Sequence, residues 1–130
     1  MFRGLTSLLG LGESTASSVA RGGLGPVLKG VEGVEKAVAQ VESEGGQVLG
    51  REITVETSAG RARVDLVYKD ASGNLVLGEA KNGPTAALNP NQQRVFQALS
   101  NEGGRLVGGN ARNAGLPATI GPGDVRIFKY

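Results

Sequence analysis

Residues 61–81 read RARVDLVYK-DASGN-LVLGEAK, and this stretch decides the fold. Two runs rich in Val and Leu flank Asp70-Ala71-Ser72-Gly73-Asn74, a segment dense in turn formers. The pattern predicts an antiparallel hairpin with strands at 61–69 and 75–81. Centring it on Ser72 pairs Lys69 with Leu75, Val67 with Leu77, Asp65 with Glu79, and Arg63 with Lys81. Side chains on a strand alternate faces, so Arg63, Asp65 and Val67 are expected on one face of the second strand. Leu75, Leu77, Glu79 and Lys81 are expected on one face of the third. That register sets two carboxylates opposite each other, with Cβ atoms ~4.5–5.5 Å apart.

Like charges so placed repel unless something neutralises them. A divalent cation such as Mg²⁺ answers the demand, because it takes hard oxygen ligands and often binds through one or two carboxylates plus phosphate oxygens. Lys81, two residues beyond Glu79 on the same expected face, can orient a water, act as a base, or offset charge on a phosphate. The competing explanation is a solvated sheet face carrying cross-strand ion pairs. It is weakened because Asp65 and Glu79 each interrupt an apolar run, where a charge is costly.

Outward from the hairpin, residues 47–57 (QVLGREITVET) carry β-branched residues at 53, 54, 55 and 57 and predict a first strand. Before it, Val31, Val34, Val38 and Val41 recur at helical spacing and predict an amphipathic helix over 31–44, closed by Gly45-Gly46. After the hairpin, NQQRVFQAL (91–99) predicts a second helix ending before Gly103-Gly104. Arg105–Val107 predicts a short strand, 108–123 a Gly/Asn-rich loop, and Val125–Phe128 a last strand. The order α-β-β-β-α-β predicts an α/β fold, a mixed central sheet flanked by helices. Residues 1–30, rich in Gly, Ser and Ala, are expected to form a leader or linker, with one short helix near 14–20, ahead of a domain at 31–130. The first residues faintly resemble a signal peptide, but their apolar run is short and Glu13 interrupts it. No apolar run approaches the ~18–20 residues that span a bilayer, so no membrane partner is expected.

Composition narrows the chemistry. The 130 residues include no Cys and no His. Disulfides, thiolate nucleophiles, Ser-His-Asp triads and His metal sites are therefore excluded. Carboxylates, Lys, Tyr, hydroxyls and hard cations are what remain. Net charge is +2, too mild to argue for nucleic acid by itself. Its distribution is uneven: residues 83–130 carry 5 Lys+Arg against 2 Asp+Glu.

Further candidates lie outside the hairpin. Glu35 and Glu42 flank the valine stripe on one side of the first helix, and either can reach the end of the sheet to complete a metal shell. Gln92 and Gln93 open the second helix, where backbone N–H groups attract phosphate, and a Gln there can hold a phosphate oxygen or a water. A capped helix start with polar residues is the plainer explanation. Lys69 and Arg63 are weaker phosphate candidates. The glycines of 108–123 lack the strand-turn-helix context of a nucleotide-binding loop.

The helix bearing Glu35, then Val64-Asp65-Leu66, then Gly78-Glu79-Ala80-Lys81, resembles the PD-(D/E)XK, or restriction-endonuclease-like, nuclease superfamily. Val64 stands where the nominal motif has Pro. Residues 33–49 resemble the leading helix and strand of Holliday-junction-resolvase-like members, in which a Glu at the position of Glu35 completes the metal site; this favours Glu35 over Glu42. The resemblance implies a metal-dependent endonuclease using Mg²⁺ or another divalent cation such as Mn²⁺. Asp65, Glu79 and Glu35 would be the metal ligands, with Lys81 and Gln92 assisting catalysis. Asn89–Phe96, Gly115-Leu116-Pro117 and Ile120–Ile127 are similar to C-terminal toxin domains of bacterial polymorphic toxins, including contact-dependent inhibition and type VI effectors. This implies an effector delivered into the cytoplasm of a target bacterium, acting on DNA or tRNA, DNA slightly favoured, and blocked at home by a cognate immunity protein. The alternatives are a housekeeping DNA repair or junction-resolving nuclease, and a non-catalytic interaction module on the same scaffold.

Overall fold

The predicted hairpin forms, and its turn is built by one side chain. Asp70 Oδ1 accepts hydrogen bonds from the N–H groups of Ser72 (2.9 Å) and Asn74 (2.8 Å). Gly73 takes φ of +89°, which only glycine adopts freely. The strands that this turn joins are β2 (Gly60–Lys69) and β3 (Leu75–Lys81). Lys69 pairs with Leu75 and Val67 with Leu77, as the sequence predicts. The computed structural model describes residues 25–83 and 86–130. Of the leader expected over 1–30, residues 1–24, with the short helix expected near 14–20, fall outside that range, and 25–30 are helical rather than linker.

Strand β1 (Gln47–Thr57) lies antiparallel to β2. Beyond it stand β4 (Gly104–Val107) and then β5 (Thr119–Ile120), while β6 (Arg126–Lys129) runs parallel to β3. The described residues therefore form a six-stranded mixed sheet in the order β5-β4-β1-β2-β3-β6. Helices α1 (Gly25–Ser43), α2 (Pro90–Glu102) and α3 (Gly109–Asn113) flank it. The fold is α/β, with the expected α-β-β-β-α-β order at its centre.

Three features depart from expectation. First, α1 begins at Gly25 rather than Val31, with Pro26 in its first turn, where a missing N–H costs nothing. Its buried stripe is also shifted. Ala37 and Val41 are fully buried, Val34 and Val38 half-buried, and Val31 is 52% exposed. Second, the predicted loop at 108–123 contains α3 and β5. Ala111 buries itself in the core, and Asn110 Nδ2 donates to the Glu52 carbonyl at 3.0 Å. Those are tertiary contacts that a five-residue helix needs and its own sequence does not advertise.

The third departure shapes the site. Leu66 and Tyr68 pack with Ala37 and Val41 of α1, together with Phe128. Val67 and Leu77 point to the other face, into a core shared with Val95, Phe96 and Leu99 of α2 and Ala111 of α3. Strict alternation would send Val64 and Ala62 to the α1 face. Instead both join the α2 core with Ile53 and Val55. The shared face expected for Arg63, Asp65 and Val67 is thus broken between Val64 and Leu66. The break stands across the ladder from Glu52, at φ +54° between the pairs Arg51↔Leu66 and Ile53↔Val64, and the β1–β2 register itself shifts earlier, between Val48 and Gly50. A left-handed residue inside a strand departs from the regular pleat, and a bulge re-aims the side chains beyond it. Asp65 sits at the reversal.

Candidate active site

Beyond Leu66↔Gly78 the backbone ladder between β2 and β3 stops, and side chains carry the pairing on. The Asp65 N–H donates to Glu79 Oε1 at 3.2 Å, and the Ala80 N–H donates to Asp65 Oδ2 at 2.8 Å. Each carboxylate takes a backbone donor from the other strand. Buried N–H groups must find acceptors, so this exchange fixes both acids where the strands part. The expected juxtaposition of Asp65 and Glu79 is present, made by reciprocal side-chain-to-backbone bonds.

Glu79 is 5% exposed and is the buried charged residue among those described. Its Oε2 accepts from Gln92 Nε2 at 2.8 Å and lies 3.3 Å from Lys81 Nζ. Lys81 Nζ in turn donates to Gln92 Oε1 at 3.2 Å. Gln92 comes from the start of α2, and the same amide closes that helix's cap. Asn89 Oδ1 accepts from the Gln92 N–H (2.8 Å), while Gln92 Oε1 accepts from the Asn89 N–H (3.1 Å). This is a capping box with Pro90 behind the cap residue, the arrangement that holds a helix start rigid. The helix cap and the acid–lysine cluster therefore share one side chain.

Burial pushes the Glu79 carboxyl above the ordinary carboxylate range, and the neighbouring Asp65 charge pushes the same way. Lys81 and the Gln92 hydrogen bond oppose the rise without cancelling it. Two carboxylates face one ammonium in a half-dry corner, so the cluster attracts further positive charge.

These groups open onto a cleft of about 450 Å³ between the sheet end and α1. Asp65, Glu79 and Lys81 line it from the sheet, and Val31, Val34 and Glu35 from α1. Glu35 thus reaches the cleft, but its carboxylate is taken by Arg51, whose Nη1 lies 2.6 Å from Oε2. Glu42 is exposed on the helix and does not line the cleft. Gln93 turns away, its Nε2 donating to the Leu88 carbonyl at 3.1 Å. Lys69 lies at the turn end of the hairpin, and Arg63 is exposed with Glu52 at 3.8 Å. Among the described residues, no group of three or more Asp and Glu side chains is arranged to hold an ion; of the four carboxylates that line the cleft, Glu35 and Glu52 face Arg51 and Arg63, and Asp65 and Glu79 sit together at the strand split.

Arg51 and Glu52 also line the cleft, and no sequence pattern singled them out. Nothing local singles out one arginine in a strand; this one stands between the register shift at Val48/Gly50 and the left-handed Glu52. Fold and site together define a mixed α/β domain with an acid–acid–lysine cluster at a split in its sheet. The chain matches no family model, no curated protein and no solved structure.

Proposed function

We propose that this chain is a metal-dependent endonuclease that hydrolyses phosphodiester bonds of nucleic acid. The observation that carries this reading is the reciprocal lock of Asp65 and Glu79 at the strand split, with Lys81 Nζ 3.3 Å from Glu79. Hydrolysis adds water across a P–O bond: the water oxygen bonds to phosphorus, one ester bond breaks, and the leaving oxygen takes up a proton.

The donor set fits a hard divalent cation, since two adjacent carboxylates with one ammonium leave charge unbalanced and Mg²⁺ binds through as few as one or two carboxylates. Asp65 and Glu79 would hold it, and when bound it supplies positive charge against the phosphate and acidifies water. The other steps belong to the chain. Lys81, fixed between Glu79 and Gln92, presents its ammonium to a phosphate entering the cleft. Gln92 keeps the Lys81 and Glu79 head groups in register. The Ala80 N–H holds Asp65 in place, leaving its second oxygen for ligation.

The reading extends, on the motif resemblance, to an antibacterial toxin domain acting in the cytoplasm of a target cell and neutralised by a cognate immunity protein. DNA is slightly favoured over tRNA as substrate. The test is cleavage of plasmid DNA and of total tRNA by the intact chain, with and without EDTA, beside Asp65→Ala and Lys81→Ala. Loss of at least ~100-fold is expected in each variant, the scale on which single acid–base groups contribute. EDTA is expected to abolish cleavage, and growth arrest on expression is expected to vanish in the same variants. Cleavage that survives both substitutions, or that is absent from the wild-type chain on both substrates, removes the proposal in favour of a non-catalytic module.

A further inference from the structure

Arg51 lines the cleft from a stretch of β1 bounded by two irregularities, the register shift between Val48 and Gly50 and the left-handed Glu52. Glu52 is the one non-glycine residue at positive φ among those described, at +54°, a conformation that L-residues rarely hold. Ile53, just past it, packs into the α2 core, and Arg51, just before it, lies on the α1 side, where it lines the cleft with Asp65, Glu79 and Lys81. Strand irregularities of this kind commonly re-aim a side chain beside a functional site.

In the cleft the guanidinium forks onto Glu35, with Nη1–Oε2 at 2.6 Å and Nη2–Oε1 at 3.5 Å. A carboxylate and a phosphate offer a guanidinium the same pair of oxygens, so one is a geometric stand-in for the other. Both side chains are about half exposed, 46% for Arg51 and 55% for Glu35. An ion pair that wet is held weakly and can exchange partners.

Building on the nuclease reading, we propose that Arg51 is a phosphate-binding residue of the cleft. Glu35 is its resting counter-ion, occupying the guanidinium until a phosphate of the nucleic acid takes its place. Glu35 therefore competes with the substrate before any role it has in holding a cation.

The test is binding of a labelled DNA duplex and of labelled tRNA to the intact chain in EDTA, which separates binding from cutting, over a range of salt concentrations. Arg51→Ala is expected to weaken binding about tenfold, as loss of a charge-assisted hydrogen bond does. It should also flatten the log–log salt slope by ~0.7–0.9, the signature of one phosphate contact. Arg51→Lys keeps the charge without the fork and should fall between. Glu35→Gln is expected to tighten binding by up to ~fivefold, the ion pair's own strength, and this gain should disappear in the double variant with Arg51→Ala. Melting temperatures of all variants expose a merely structural role, which shifts stability and leaves the salt slope alone. Arg51→Ala binding within twofold of wild type at an unchanged slope, or Glu35→Gln weakening the complex, overturns the proposal. If Arg51→Ala does not fold, Arg51→Lys and Glu35→Gln decide the matter by the same readouts. A wild-type chain that neither binds nor cuts nucleic acid brings down the nuclease reading itself; a wild-type chain that cuts while Arg51→Ala binds normally brings down the Arg51 assignment alone.

Discussion

At the turn end of the β2–β3 hairpin, Glu44 reaches from behind α1 to Arg126, with guanidinium nitrogens at 2.7 and 2.8 Å from its two oxygens. Arg126 also donates to the Tyr68 hydroxyl at 3.0 Å and lies over the Phe128 ring, 4.4 Å from its centroid. At the open end, Glu79 meets Lys81, Gln92 and the charge of Asp65. The same residue type titrates in opposite directions at the two ends. Hydrogen bonds from Arg126 hold the exposed Glu44 carboxyl at about 2, whereas burial and a like charge push Glu79 up. The closed end is built as one acid facing one base, with the charges matched. The open end has two acids to one base and keeps its mismatch inside the fold. Such a mismatch is a cost to stability, and perturbed carboxyls of this kind concentrate where chemistry is done.

The largest expected effect comes from removing the mismatch. Glu79→Gln keeps the shape and deletes the charge. Cleavage should fall by ~100-fold or more, while the melting temperature rises by several degrees, the scale of about 1 kcal/mol in a small domain. The pH dependence gives the sign. A carboxyl raised in the folded state contributes stability that is fully present below its unfolded value of 4.5 and is lost as pH rises through the folded value. The stability gap between Glu79→Gln and wild type should therefore be widest near neutral pH and close on acidification. Thermal melts of both proteins at pH 4 and pH 7 check this, and a variant that melts lower than wild type at pH 7 refutes the cost assigned to the open end.

The closed end should answer in the opposite sense. Arg126→Ala leaves the buried Tyr68 hydroxyl without its donor and is expected to cost about 1–3 kcal/mol of stability, with cleavage per folded molecule unchanged. Glu44 is lowered in the fold, so its contribution is present above 4.5 and is lost as pH falls toward 2. Glu44→Gln and wild type should differ in urea melts at pH 7 and converge near pH 2. The smallest expected effect returns to the open end. Asn89→Ala removes one half of the α2 capping box, costing ~1 kcal/mol. Because the Gln92 N–H then loses its acceptor and the first turn that carries the Gln92 side chain is loosened, cleavage should also drop severalfold. A drop in stability alone would mean that cap and cluster are independent.

Much of this architecture was legible. Strands β1 and β3 fall where residues 47–57 and 75–81 predict them, because alternating β-branched runs bounded by turn residues have few other solutions. The register around Ser72 follows from turn length alone. Asp65, Glu79 and Lys81 could be picked out as acids and a base intruding on apolar strands, and Gln92 as a polar helix start. Val31 shows the limit of such patterns: it continues the valine spacing of α1 but lies beyond the buried face, 52% exposed at the rim of the cleft.

What the amino-acid order settles by itself is local: which segments become strands or helices, how the hairpin closes, and which chemistries an absence of Cys and His forbids. What tertiary structure alone decides is where side chains point once strands depart from ideal pleating. The facing of β1 and β2 reverses beside the left-handed Glu52, just past the register shift between Val48 and Gly50, and there Arg51 lines the cleft and Asp65 stands at the split. No periodicity announces that reversal, because a pleat-breaking residue changes which face every later side chain takes while the residue pattern runs on unchanged.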